Sequence, residues 1–207
     1  STSEPMVFEG TETDIISGVV INTVPVRVSF EQTKASDFDV TYMKGADDRK
    51  IMSEYSCSNS CALLTTAGEY DFIVETDSPW KLTIEPLTKT DDVAFSGKGD
   101  YVTDIFTLDK ATIFQLKGEF SDFTNYIVYL YTYDAAQAKW SSSSVISELE
   151  SAGGKVDTKN DFKVSGETDC VLTIEFCDSK WEITPVHYEA TLLATDWIPG
   201  QQQPTIT

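Results

Sequence analysis

A single histidine, His187, serves all 207 residues. A catalytic triad would have to gather a nucleophile and an orienting carboxylate around that one imidazole, which lies just past the strand-ending Pro185, so the sequence offers no ready triad. Zinc is short of ligands for the same reason. The four cysteines are Cys57, Cys61, Cys170 and Cys177, and the histidine adjoins neither pair. No Gly-x-Ser-x-Gly elbow, His-Glu-x-x-His helix or Gly-x-x-x-x-Gly-Lys-Ser/Thr loop occurs, and Gly97-Lys98-Gly99 is too short to cradle a phosphate. Long apolar runs are missing as well: none approaches the roughly 20 residues a membrane-spanning helix needs, and no signal-peptide pattern is seen.

Basic residues are scarce. Fifteen Lys and Arg face 34 Asp and Glu, a formal charge of −19. Such a surface repels phosphate backbones and anionic membranes, which sets aside nucleic-acid and membrane partners and suits a dispersed, secreted protein. These gaps point away from an enzyme. Paired carboxylates for glycoside hydrolysis stay open, because in so acidic a chain any two could meet in space. No cofactor is expected. Asp47-Asp48 and Asp91-Asp92 leave a structural calcium open, although neither has the alternating spacing of a dedicated calcium loop and both read first as solvated turns.

What the chain does have is 41% hydrophobic and 12% aromatic residues set in strict alternation, and one pattern used twice. The first copy runs from Gly68 to Pro86, with Tyr70, Phe72 and Val74 alternating, then Asp77-Ser78, then Trp80 opening a second alternating run. The second copy runs from Thr168 to Pro185, with Leu172, Ile174 and Phe176, then Asp178-Ser179, then Trp181. Each reads as a hairpin with one buried and one wet face. Further matches extend the repeat: Asp14–Ile21 against Asp100–Thr107, and Phe38–Met43 against Tyr126–Tyr131. The spacing predicts an all-β protein of two tandem antiparallel β-sandwiches. They are expected over residues 1–90 and 95–198, with Thr88–Asp92 in the join and a Pro- and Gln-rich linker over 199–207. The growing offset between copies assigns the second about 13 extra residues after Trp140, where the N-cap Ser144, the spacing of Ile146 and Leu149 and the stop Gly153-Gly154 predict one short helix near 144–152. A closing stretch from Val186 to Ile198 either completes the second sheet or returns to the first domain.

Among the cysteines, Cys57 and Cys61 flank a short polar stretch expected to close on itself if any disulfide forms. Cys170 and Cys177 sit seven residues apart on one strand, roughly 23 Å when extended, and are expected not to pair with each other. Trp80 and Trp181, kept in both copies, are expected in the cores. Trp140 has no such counterpart. It follows Tyr129, Tyr131 and Tyr133, which share one strand face, and lies beside Gln137, Lys139 and a serine run. Flat rings accept the apolar face of a pyranose while polar neighbours take its hydroxyls, so Trp140, Tyr131, Tyr133, Gln137 and Lys139 form the candidate sugar site, against the alternative that the tyrosines are simply a buried strand face. Tyr42, Tyr101, Tyr188 and Trp197 are the next exposed aromatics expected.

At Ser96–Leu108, followed by Asn125–Tyr131 and the Trp181 hairpin, the chain resembles bacterial secreted β-sandwich modules of two related kinds. One is the pre-peptidase C-terminal domain; the other is the accessory module found beside extracellular amylases and in starch-adherence proteins. The resemblance covers both copies loosely and implies jelly-roll-like or immunoglobulin-like sandwiches in a modular, extracellular or cell-surface protein that binds carbohydrate without catalysis, a starch-like α-glucan foremost, with neighbouring modules of the same polypeptide as its other partners. The alternative function is a structural or adhesive spacer. The opening Ser1–Pro5 and the closing linker are read as margins of a piece of a longer protein.

Overall fold

Strands alone make up the regular structure of this computed structural model among its described residues, which are 4–120, 124–150, 154–164, 166–176 and 179–186; only the backbone is described at 120, 124–125, 143–150 and 154–161. In chain order the first half holds β1 (Met6–Gly10), β2 (Asp14–Ile21), β3 (Val26–Lys44), β4 (Asp47–Leu64), β5 (Gly68–Glu75) and β6 (Trp80–Pro86). The second half holds β7 (Phe95–Lys98), β8 (Tyr101–Val102), β9 (Phe106–Leu108), β10 (Thr112–Phe120), β11 (Thr124–Asp134), β12 (Lys139–Glu150), β13 (Gly154–Phe162), β14 (Thr168–Glu175) and β15 (Lys180–Val186). Every strand pairing is antiparallel. No described helix is long and apolar enough to cross a membrane.

The long strand β3 organises the first half because it changes partners in mid-course. Its residues 26–32 pair with β6, and 39–43 pair with β5. β4 follows it along both stretches. One wing therefore reads β1-β6-β3-β4 and the other β2-β5-β3-β4. Alternation along β3 sends Val26, Val28, Phe30, Phe38 and Val40 inward, where they join Trp80, Leu82 and Ile84 of β6 and Tyr70, Phe72 and Val74 of β5 in one cluster. The Phe30 and Phe38 rings, from the two stretches of β3, meet at 4.3 Å between centroids.

The second half repeats this order with the long strands cut in two. β10 and β11 stand for β3, and β13 and β12 stand for β4, giving sheets β13-β10-β15-β7 and β12-β11-β14 with β8 and β9 at the far edge. Phe114, Leu116, Trp181 and Ile183 of one sheet share a cluster with Val128, Leu130, Leu172 and Ile174 of the other. The tryptophans are equivalent to the atom. Trp80 lies opposite Gly10 and donates from Nε1 to the Glu12 carbonyl (2.8 Å); Trp181 lies opposite Gly97 and donates to the Gly99 carbonyl (2.7 Å). Both are buried as expected. A Cβ on Gly10 would come within 2.5 Å of the Trp80 ring and one on Gly97 within 2.8 Å of the Trp181 ring, so each ring fills the space that glycine leaves.

Three expectations fail. β5 and β6 do not form a hairpin, nor do β14 and β15; each member pairs with a different stretch of the central strands, so Asp77-Ser78 lies in an arch between them, while Asp178 is outside the described residues. The helix expected near 144–152 does not form over 144–150, the part of it among the described residues. Ser144 to Glu150 continue β12 and pair with β11, since a strand that leaves its neighbour's hydrogen-bonding edge satisfied outweighs two helical turns whose only support is a cap and an i,i+3 pair. The Cys57–Cys61 loop does not close. Both cysteines lie on β4, opposite Ser36 and Ser29, and four extended residues separate them by about 13 Å, well beyond disulfide reach. Cys57 is disulfide-bonded, while Cys61 and Cys170 are free and buried, so Cys170 indeed does not pair with Cys177. Cys177, His187 and the segment after Val186 lie outside the described residues.

Candidate functional site

The five residues predicted as a site gather on and beside the β11–β12 hairpin. In the first half the corresponding β3–β4 hairpin closes tightly over Gly45 and Ala46, with Lys44 opposite Asp47. In the second it runs on to Asp134 opposite Lys139 and turns through residues 135–138, with Asp134 Oδ1 accepting from the Ala136 and Gln137 amides at 2.9 and 3.2 Å. Part of the second half's extra length therefore lies before Trp140, in the hairpin tip, and not wholly after it. Trp140 and Tyr133 are direct cross-strand partners, their rings 5.3 Å apart and inclined at 45°. Gln137 and Lys139 are exposed beside them.

Tyr126, Val128 and Leu130 face the core, so Tyr129, Tyr131 and Tyr133 share the outer face and are half-buried there. They are not the core face of their strand. Yet the outer face is not wholly free. Tyr131 and Trp140 pack on a small cluster of Cys61, Leu87, Val102 and Val171, together with Leu63 and Ile105, which draws on both halves of the chain. Tyr131 is thereby desolvated, which raises its phenol above the ordinary range, against the pull of Arg49 from the first half. The platform open to a ligand is Tyr133 and the half of Trp140 that the junction leaves uncovered.

The junction itself was not anticipated. Arg27 of β3, only 12% exposed at its side chain, donates from Nε to the Val102 carbonyl (2.6 Å), from Nη1 to Glu85 (2.7 Å) and from Nη2 to Asp104 (3.3 Å), and its guanidinium lies 5.1 Å from the Tyr101 ring centre. The join between the halves is stitched to the second one: Thr90 N donates to the Ile105 carbonyl and Ile105 N to the Thr88 carbonyl, both at 2.8 Å. A signal was present in the sequence. Arg27 is one of only two arginines in the sequence, and it is the one whose hydrogen bonds cross the junction.

Of the other aromatics, Tyr101 is exposed, whereas Tyr42 is buried against Tyr70 at 5.2 Å and donates to Asp47 (3.0 Å), contrary to the expected exposure. Tyr188 and Trp197 lie outside the described residues. Asp47 is thus used in a fold contact, and the described residues contain no group of three or more His, Cys, Asp or Glu side chains arranged to hold a metal ion.

No family model matches the chain, and no curated protein matches it. Among solved structures, the amino-terminal tandem of two CBM22 domains of Xyn10C from Paenibacillus barcinonensis is 8% identical, covering 88% of this chain and 92% of that one at a TM-score of 0.26. The PBSX exported protein XepA is likewise 8% identical, covering 88% and 84% at a TM-score of 0.25. At these scores neither likeness carries an argument about this chain.

Proposed function

We propose that the protein is a noncatalytic carbohydrate-binding piece of a larger extracellular bacterial polypeptide, two sandwich modules in tandem, and that it binds a neutral polysaccharide, foremost a starch-like α-glucan, at the β11–β12 tip. The observation that carries this is the Tyr133–Trp140 pair, held at 5.3 Å on a hairpin extension that only the second half has, beside exposed Gln137 and Lys139. Rings on a rigid hairpin keep their geometry without a ligand, which lowers the entropy lost on binding. The disulfide at Cys57 fits an oxidising, extracellular setting. The reading assigns no catalytic residues and no cofactor.

A structural or adhesive spacer is favoured by a different observation, the packing of Tyr131 and Trp140 on the junction cluster. Sedimentation with insoluble starch and a panel of other polysaccharides separates the two. For binding, Trp140→Ala should weaken the titrated affinity by about 1–3 kcal/mol while the fold persists, with Tyr133→Ala giving a smaller loss. Unchanged retention in a folded Trp140→Ala protein removes the site from this hairpin. Retention by no polysaccharide leaves the spacer, and release of reducing sugar would restore a glycosidase.

A further inference from the structure

Asp100 joins the halves. It sits in the turn between β7 and β8, is 9% exposed, accepts from Ser60 Oγ of β4 at 2.6 Å and from the Phe176 amide just after β14 at 2.7 Å. The fit around it is close: a Cβ on the neighbouring Gly99 would lie 2.5 Å from Asn59 Oδ1, an atom that is buried without a hydrogen-bond partner. Into this place β4 sends a second carboxyl, Glu54, in hydrogen-bonding contact with Asp100, and the end of β14 brings a third, Glu175. Among the described residues the charged and titratable groups facing Glu54 are therefore Asp100 from the β7–β8 turn and Glu175 from β14; on its own strand stand the Ser60 hydroxyl and the Cys57 sulfur, 3.7 Å away and bridged, so not titrating. Across from it, β3 carries Asp37, which accepts from the Ser56 amide, and Asp39, which is paired with Lys50. No lysine or arginine is paired with Glu54 among the described residues.

We propose that this cluster makes the junction a pH-dependent clasp, in which Glu54 holds a proton it shares with Asp100 and, on releasing that proton to water, drives β4 away from the β7–β8 turn. Burial, and then the charge and hydrogen bond of Asp100, push the Glu54 carboxyl up to about 8. Glu175 is raised as well, by burial and by the charge of Asp100, but as an exposed residue it counts for less than Glu54. The closed junction binds a proton that the separated form would release at an ordinary carboxylate pH. Closure is therefore favoured most in acid, weakens as pH rises from about 4.5, and has lost all of this contribution above about 8.

Two measurements on the intact protein test this. Carbon-detected titration of the Glu54 carboxyl should give a midpoint near 8, and a midpoint in the ordinary carboxylate range overturns the proposal. Hydrogen exchange at the Phe176 amide, corrected for the intrinsic dependence on pH, should show protection falling about tenfold or more between pH 6 and 9.5. In Glu54→Gln, which keeps a donor toward Asp100, that protection should be flat with pH, and Glu175→Gln should lower the Glu54 midpoint. Protection that falls equally in Glu54→Gln, or does not fall in the unmodified protein, overturns the clasp. Should Glu54→Gln not fold, the carboxyl titration and the unmodified protein's exchange profile decide alone.

Discussion

The two halves reach one strand order by different use of the chain. In the first, β3 and β4 run 19 and 18 residues and serve both wings without interruption. In the second, the same positions are taken by the four shorter strands β10 to β13. What stays constant is the set of contacts that fixes each wing: the Trp ring over a glycine, its indole N–H on a backbone carbonyl, and paired alternating strands feeding one cluster. What varies is the hairpin at the tip, short and closed on Gly45 in one half, longer and aromatic in the other. The core tolerates a cut strand as long as its inward residues still meet, whereas the turn at the tip is exposed and free to differ in length.

The tryptophans offer the hardest way to break this equivalence. Trp80→Ala and Trp181→Ala should each cost about 3–5 kcal/mol, measured by denaturant titration, because each removes a buried ring and an indole hydrogen bond. A half that tolerates its change would show that the equivalence is one of shape and not of energy. Filling the glycine instead should act less strongly: Gly10→Ala and Gly97→Ala push a methyl into the ring and should each cost about 1–3 kcal/mol, with the larger effect at Gly10, where the approach is closer. Arg27→Ala strips the junction of its cation and leaves the Val102 carbonyl unpaired. A loss of about 1–3 kcal/mol is expected, read as earlier melting of the second half's contacts with β3, and none at all would mean the halves are independent. Smallest are the thiols. Burial raises Cys61 to about 11 and Cys170 to about 12, so neither should alkylate at pH 8 until the protein unfolds, and an unreduced digest should show both free with Cys57 crosslinked.

Strand identity was legible where burial writes itself as alternation, as in Tyr70, Phe72 and Val74; β14, expected to have one wet face, is instead buried on both from Cys170 to Ile174, because its outer Val171 packs in the junction cluster. Pairing was not legible, because it is a long-range choice. Nothing in residues 68–86 reveals that β5 and β6 each bind a different stretch of β3, and an Asp-Ser turn looks the same in a hairpin and in an arch. The missed helix has the same origin, since the edge that β12 completes belongs to β11 and is invisible within residues 144–150. The cysteine error was avoidable. The argument from strand length that separated Cys170 from Cys177 applied equally to Cys57 and Cys61 once the segment was read as strand. For the site, the ring types and their grouping were legible, but the share of Tyr131 and Trp140 covered by the junction depended on where the first half lies.

The unbroken course of β3 has a consequence for how this chain could change length. Its inward residues are even-numbered on both stretches, Val26, Val28 and Phe30 in one wing and Phe38, Val40 and Tyr42 in the other, although alternation lapses over residues 33–37, where the register with β4 shifts. Deleting or inserting a single residue between Thr33 and Asp37 would turn one wing's inward set outward unless that irregular stretch took it up as a bulge, whereas a change of two residues keeps the phase by itself. Length variation in this segment is therefore expected in even steps.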